Sequence, residues 1–254
     1  MARLKRPVIA GNWKMHKGPA EARAFADAFL EACPPGARSI VLFPPAVAIA
    51  AVAEAMRGRD DVLVGVQNIH WEAKGAFTGE TSASMARETG ARLALIGHSE
   101  RRHVFGETDQ EVARKVRAAL AQGLEAMVCV GETIEERRAG RVDEVILRQL
   151  DAALEAVPGD AIARLLIAYE PVWAIGTGET ATPADAAAAH GTLRRRLAER
   201  LGAAEGAAVP ILYGGSVKPD NAAELLAASD VDGVLVGGAS LEAASFAAIA
   251  AASG

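Results

Sequence analysis

The chain has 254 residues, 51% hydrophobic, only 4% aromatic and 23% charged, which fits one folded domain with an aliphatic, alanine-rich core and excludes a disordered chain. A net charge of -5 leaves no general attraction for nucleic acid or anionic lipid. Cys33 and Cys129 form no CxxC pair, so neither a disulfide framework nor a zinc site is expected.

The N-terminal basic residues precede an apolar run that breaks at Asn12 and Lys14, too short for a signal peptide, and no later run suits a membrane helix. A soluble, cytoplasmic protein with no membrane or nucleic-acid partner is expected. Short apolar runs fall at 7–11, 40–43, 62–66, 93–97, 126–130, 165–169, 209–213 and 233–236, each followed by alanine-rich or amphipathic helical sequence. Strict alternation predicts an α/β protein with a parallel sheet, and eight units in one domain (1–254) favour a closed (β/α)8 barrel over a doubly wound open sheet. Thr182-Pro183, with Asp185 in the first turn, predicts a helix start, and Lys218-Pro219-Asp220-Asn221 predicts another. Arg194, Arg195 and Arg196 read as a solvated helix face.

In such a barrel the chemistry follows the C-terminal ends of the strands. The first run ends in Asn12-Trp13-Lys14, whose two polar side chains at alternate positions share a side and suit an anion. Pro44-Pro45 ends the second as a rigid turn. The third ends in Gln67-Asn68 and opens the long loop 69–82, whose Trp71 and Phe77 are too apolar for a free tail. The fourth ends at His98, behind which Ser99 is placed to cap a short helix. A helix N-terminus disfavours the imidazolium, so His98 is expected neutral and able to donate an N–H to a carbonyl oxygen. His16, His70, His103 and His190 show no such pattern and read as ordinary polar or surface residues.

The fifth run holds Cys129, read as a buried small hydrophobe, and ends in Gly131-Glu132-Thr133. The sixth ends in Glu170, a carboxylate placed where apolar character stops. Pro171 breaks the strand, and Val172, Trp173, Ile175, Gly176, Thr177 and Gly178 form a loop with a hydrophobic tip that either lies open or folds over a ligand. The seventh and eighth runs end in Gly214-Gly215-Ser216 and Gly237-Gly238. Two glycine pairs in the last two loops let backbone amides approach a ligand, which favours a phosphate site.

Over essentially the whole chain these strings, AGNWKM, IGHSERR, CVGET, YEPVWAIGTG, YGGSV and GVLVGGAS, resemble the triosephosphate isomerase family. The resemblance implies a single-domain TIM barrel that interconverts dihydroxyacetone phosphate and D-glyceraldehyde 3-phosphate through an enediolate, with no cofactor and no metal. It implies Glu170 as the base, His98 as the electrophile and proton shuttle, and Asn12 and Lys14 as substrate contacts. Backbone N–H groups of Gly176, Ser216, Gly237 and Gly238 would hold the phosphate, with Glu100 and Cys129 supporting. It also implies a homodimer in which loop 69–82 enters the partner: Thr78 would approach the other chain's Asn12 and Lys14, and Glu80 would pair with Arg101. Phe77 stands where the family usually has tyrosine, and Glu179 where basic residues are common. The alternatives are a different phosphate-binding barrel enzyme, which would need a Schiff-base lysine or further acids inside the barrel, and a non-catalytic barrel that only binds phosphometabolites.

Overall fold

Each predicted apolar run becomes a strand followed by helix in a computed structural model that describes residues 4–175 and 181–252. β1 (Val8–Asn12) leads to α1 (Pro19–Ala32), β2 (Ser39–Phe43) to α2 (Ile49–Ala55), and β3 (Val62–Val66) to α3 (Ala83–Glu88). β4 (Leu93–Ile96) leads to α4 (Ser99–His103) and α5 (Asp109–Ala121), and β5 (Glu125–Val130) to α6 (Ile134–Arg138) and α7 (Val142–Leu154). β6 (Leu165–Tyr169) precedes α8 (Pro183–Leu201) and α9 (Ala203–Ala208). β7 (Ile211–Tyr213) precedes α10 (Ala222–Leu226), and β8 (Gly233–Val236) precedes α11 (Ala243–Ala251). β7 begins two residues into its run, after Pro210, which has no N–H to give to a ladder.

All the strand pairs are parallel and follow chain order. β8 closes on β1 with Val8 beside Gly233, so the sheet is a closed barrel and not an open one. Side chains alternate strictly along each strand. One set, including Val8, Ala10, Met127, Cys129, Leu166 and Ala168, fills the barrel. The other, including Ile9, Val128, Ile167 and Tyr169, packs under the helices. Buried aliphatics and alanines dominate as expected, yet several of the few rings are also interior: Trp13, Phe25, Phe29 and Phe246 follow one another at centroid spacings of 4.7, 5.8 and 5.6 Å. No helix among the described residues is long and apolar enough to cross a membrane.

Thr182 caps α8 as predicted, its hydroxyl accepting from the N–H of Asp185 at 3.1 Å. The run 218–221 does lead into a helix, α10, which starts at Ala222 with Asn221 at its N-cap. Two other expectations fail. Arg194 does not face solvent; it reaches Asp232 at 2.5 Å and the carbonyls of Gly206 and Val209, bracing the lower rim of the barrel. His190 is fully buried against Tyr169 with Nδ1 on the Asp230 carbonyl, and burial pushes its pKa down to about 4.

Glu125 opens β5 at the floor of the barrel and is only 5% exposed. Burial, opposed in part by Arg164 and Arg92, pushes its pKa from 4.5 up to about 7. Between those values the folded chain holds a proton that the unfolded chain has released, so stability falls as pH rises through this window. At about 1.4 kcal/mol per pH unit, the ionised side chain costs up to about 3 kcal/mol above pH 7. Glu125→Gln is therefore expected to raise stability at pH 8 by about 2–3 kcal/mol and to change little at pH 4.5. Urea unfolding midpoints at the two pH values check this, and a gain of equal size at both would refute it.

Candidate active site

The inward rows of the barrel carry two functional side chains to its upper mouth. Val8 and Ala10 are followed in their row by Asn12, and Leu166 and Ala168 by Glu170. Glu170 is only 2% exposed. Glycines leave it room: a side chain at Gly131 would collide with its carbonyl, and one at Gly214 would sit 2.9 Å from its Cγ. The N–H of Ser99 donates to Glu170 Oε2 at 2.8 Å, and His98 Nε2 lies 3.0 Å from Oε1. Burial pushes the Glu170 pKa up, but His98, the Ser99 N–H and Lys14 outweigh it, so the carboxyl is held below its ordinary value. Desolvation alone has the opposite sign.

His98 stands at the N-terminus of α4, and its Nδ1 accepts the N–H of Glu100 at 3.2 Å. That bond needs a lone pair on Nδ1, which leaves the ring proton on Nε2, facing Glu170 and the cavity. Burial lowers the His98 pKa, while the Glu170 carboxylate reverses this and raises it in the ligand-free site. A ligand carbonyl replacing Glu170 at Nε2 removes the raising influence. Burial and the helix N-terminus then both favour the neutral ring.

Lys14 reaches the same mouth by a different route from the expected one. Its backbone has φ 51°, a left-handed conformation and not an extended strand end, so strand alternation does not aim it. The turn is held from both sides. Lys14 N–H donates to Asn12 Oδ1 at 3.0 Å, and Gln67 Nε2 donates to the carbonyls of Lys14 and Phe43, each at 2.8 Å. Lys14 Nζ sits 2.6 Å from Glu100 Oε1. Glu100 therefore touches the lysine by its side chain and the histidine by its backbone.

Opposite these groups lies the glycine-rich end. Gly237 precedes a 3-10 turn over Gly238–Ser240, and the Ser240 hydroxyl donates to the Gly237 carbonyl at 2.7 Å. No described residue accepts the N–H of Ser216, Gly237 or Gly238. Asn12, Lys14, His98, Glu170, Ser216, Gly237 and Gly238 line one cavity of about 270 Å³, the small end of the range for metabolite sites. Gly176, Thr177, Gly178 and Glu179 lie outside the described residues.

The described root of the loop after Glu170 is pinned to β5. Trp173 Nε1 donates to Glu132 Oε1 at 2.9 Å, the Tyr169 hydroxyl contacts both Glu132 oxygens at 3.1 Å, and Val172 N–H donates to the Glu132 carbonyl. Burial pushes the Glu132 pKa up, and these donors offset only part of it. Cys129 points into the barrel beneath Glu170. Burial, with the Glu170 charge adding, pushes its thiol far up, so it fills space as a neutral group. Gln67 and Glu132, which brace Lys14 and Trp173, are not singled out in the sequence, and their one signal is position at the end of a strand.

Thr78 and Glu80 are exposed on loop 69–82, where His70 is stacked between Trp71 and Phe77 at 4.2 Å each. Within the chain Arg101 pairs with Glu107 at 3.3 Å and not with Glu80, although Glu80 and Arg101 line the same hollow.

Comparison with known proteins agrees with this geometry. The sequence model of the family described as triosephosphate isomerase matches residues 7–253. The triosephosphate isomerase of Chloroflexus aurantiacus is 52% identical over 244 residues, covering 96% of this chain and 97% of that one. The enzyme of Symbiobacterium thermophilum is 51% identical over 251 residues, covering 98% and 97%. The crystal structure of triosephosphate isomerase from Bartonella henselae superposes with a TM-score of 0.88 at 42% identity, covering 97% and 98% of the two chains.

Proposed function

The chain belongs to the triosephosphate isomerase family and catalyses the interconversion of dihydroxyacetone phosphate and D-glyceraldehyde 3-phosphate, and on that premise we propose how its residues divide the work. Glu170 takes a proton from the carbon next to the carbonyl and returns one to the neighbouring carbon. In the ligand-free site both of its oxygens are engaged, by Ser99 N–H and by His98, so the carboxylate turns from them toward the cavity to act. His98 donates from Nε2 to the substrate oxygen and carries the proton between the two oxygens of the enediolate. Lys14 and Asn12 stabilise its negative charge, for which loss of a single donor costs about 2.7–4 kcal/mol in comparable sites. Glu100 keeps the lysine in place, and Cys129 packs below the base.

The phosphate lies on the N–H groups of Ser216, Gly237 and Gly238, with Gly176 completing the set from the lid. The lid, loop 171–178, closes over the substrate and excludes water. The observation that carries this assignment is the convergence of Glu170, His98 and Lys14, from three distant segments, on one cavity whose far wall offers N–H groups that no described residue accepts. A coupled assay with dihydroxyacetone phosphate tests it. Turnover is expected, with inorganic sulfate competitive against substrate at matched ionic strength. Kinetics indifferent to sulfate would sink the phosphate site.

The working unit is a homodimer through loop 69–82. Among the described residues the large exposed apolar side chains, Met15, Val47, Phe77, Met85, Val104 and Phe105, all follow β1 to β4, on one side of the mouth. The loop's Thr78 reaches the partner's mouth, beside Asn12 and Lys14 there, and Glu80 pairs across the interface with Arg101. We assign the enzyme to the cytoplasm, where the sugar phosphates of glycolysis and gluconeogenesis are interconverted.

A further inference from the structure

The phosphate end of the cavity offers backbone N–H groups, and the side-chain charges deeper in largely cancel. Lys14 is already paired with Glu100 at 2.6 Å, and Glu170 adds a negative charge. A dianion arriving from water therefore meets no free cation inside among the described residues. Lys218 is the exception on the rim. It lines the same cavity, two residues beyond Ser216; it is exposed, and its ammonium makes no ion pair or hydrogen bond among the described residues.

Its placement is built, not incidental. Asn221 Oδ1 accepts the Lys218 N–H at 2.8 Å, and Asn221 Nδ2 donates to the Ser216 carbonyl at 3.0 Å. One amide thus fixes the backbone at both ends of the turn, with the phosphate donor Ser216 at one end and Lys218 at the other. Pro219 stiffens the exit from that turn.

On the reading of this site as a triosephosphate isomerase, we propose that Lys218 is a substrate-binding residue, a rim cation that captures the phosphate dianion and hands it to the Ser216, Gly237 and Gly238 amides. The contact is a charge pair at an open edge, so it strengthens arrival and ground-state binding more than the chemical step. Asn221 is the positioning residue behind it.

Lys218→Met removes the charge and keeps the length, and Lys218→Arg restores a cation. For Lys218→Met, KM for dihydroxyacetone phosphate is expected to rise about 3- to 10-fold at low ionic strength, with kcat within about twofold. The difference shrinks in high salt, because an exposed pair is screened. Lys218→Arg recovers most of the loss, the dissociation constant for inorganic phosphate rises in step, and turnover of D-glyceraldehyde, which has no phosphate, is unaffected. Arg57→Met removes a positive charge at the opposite end of the barrel, between α2 and β3, and is the control for net charge. Unchanged KM and phosphate affinity in Lys218→Met would overturn the proposal. So would an equal loss with D-glyceraldehyde, which marks a structural defect, or an equal loss in Arg57→Met, which marks net charge alone. Failure of the isomerase reading would show in the parent enzyme, whereas calorimetric titration with phosphate tests Lys218 whether or not the parent turns over.

Discussion

Shortening the proposed base by one methylene, in Glu170→Asp, is expected to lower kcat by about 10²- to 10³-fold while KM changes little. Proton abstraction needs the carboxylate within hydrogen-bond reach of a carbon-bound proton, and a misplacement of about 1 Å is enough to cost about 10²-fold. Glu170 cannot compensate by shifting its backbone. Its N–H is bonded to the Val130 carbonyl at 2.8 Å, and its carbonyl abuts Gly131. KM is expected to be spared because the proposed phosphate site is the far wall of the cavity, which this change does not touch. Glu170→Gln, which keeps the size and loses the base, is expected to fall further, by about 10⁴-fold. Steady-state kinetics of both variants check the assignment, and turnover at the parent rate in either would mean that another group takes the proton.

The second large effect concerns assembly. Phe77 is 42% exposed, Phe105 66% and Met15 93%, on the loops after β3, β4 and β1. Phe77→Glu puts a charge into that face, where burial against a second copy would leave it unpaired. The variant is expected to elute as a monomer and to lose activity by about 10²-fold or more, because Asn12 and Lys14 would then lack the partner loop that completes their surroundings. Sedimentation together with the coupled assay separates the two readouts. A variant that stays dimeric, or a monomer with full activity, would show that the loop does not complete the site.

Much of this site is legible in the chain because a parallel barrel converts sequence position into spatial position. A residue that ends an apolar run ends a strand, and strand ends of one polarity share one face. Asn12, Glu170, Ser216, Gly237 and Gly238 are candidates by that rule, and His98 by the short helix behind it, although the His98 ring itself caps that helix in place of the expected Ser99. Lys14 was legible as a candidate for the wrong reason. Its aim comes from a left-handed backbone held by Gln67, and Gln67 arrives from another strand. Likewise nothing local separates His190 from a surface histidine, or Arg194 from its exposed neighbour Arg195, until α8 docks on the barrel.

By itself the sequence determined the order and type of the elements, through apolar runs of strand length alternating with helical stretches, and the chemical kinds of side chain available at the mouth. Closure of β8 on β1, the clasp on Lys14, the opposed pKa shifts of Glu170 and His98, and the burial of Glu125 and His190 were decided only by the tertiary structure. The physical reason is range. Alternation and capping act over a few residues, whereas desolvation and charge pairing depend on which distant groups packing brings within a few ångströms.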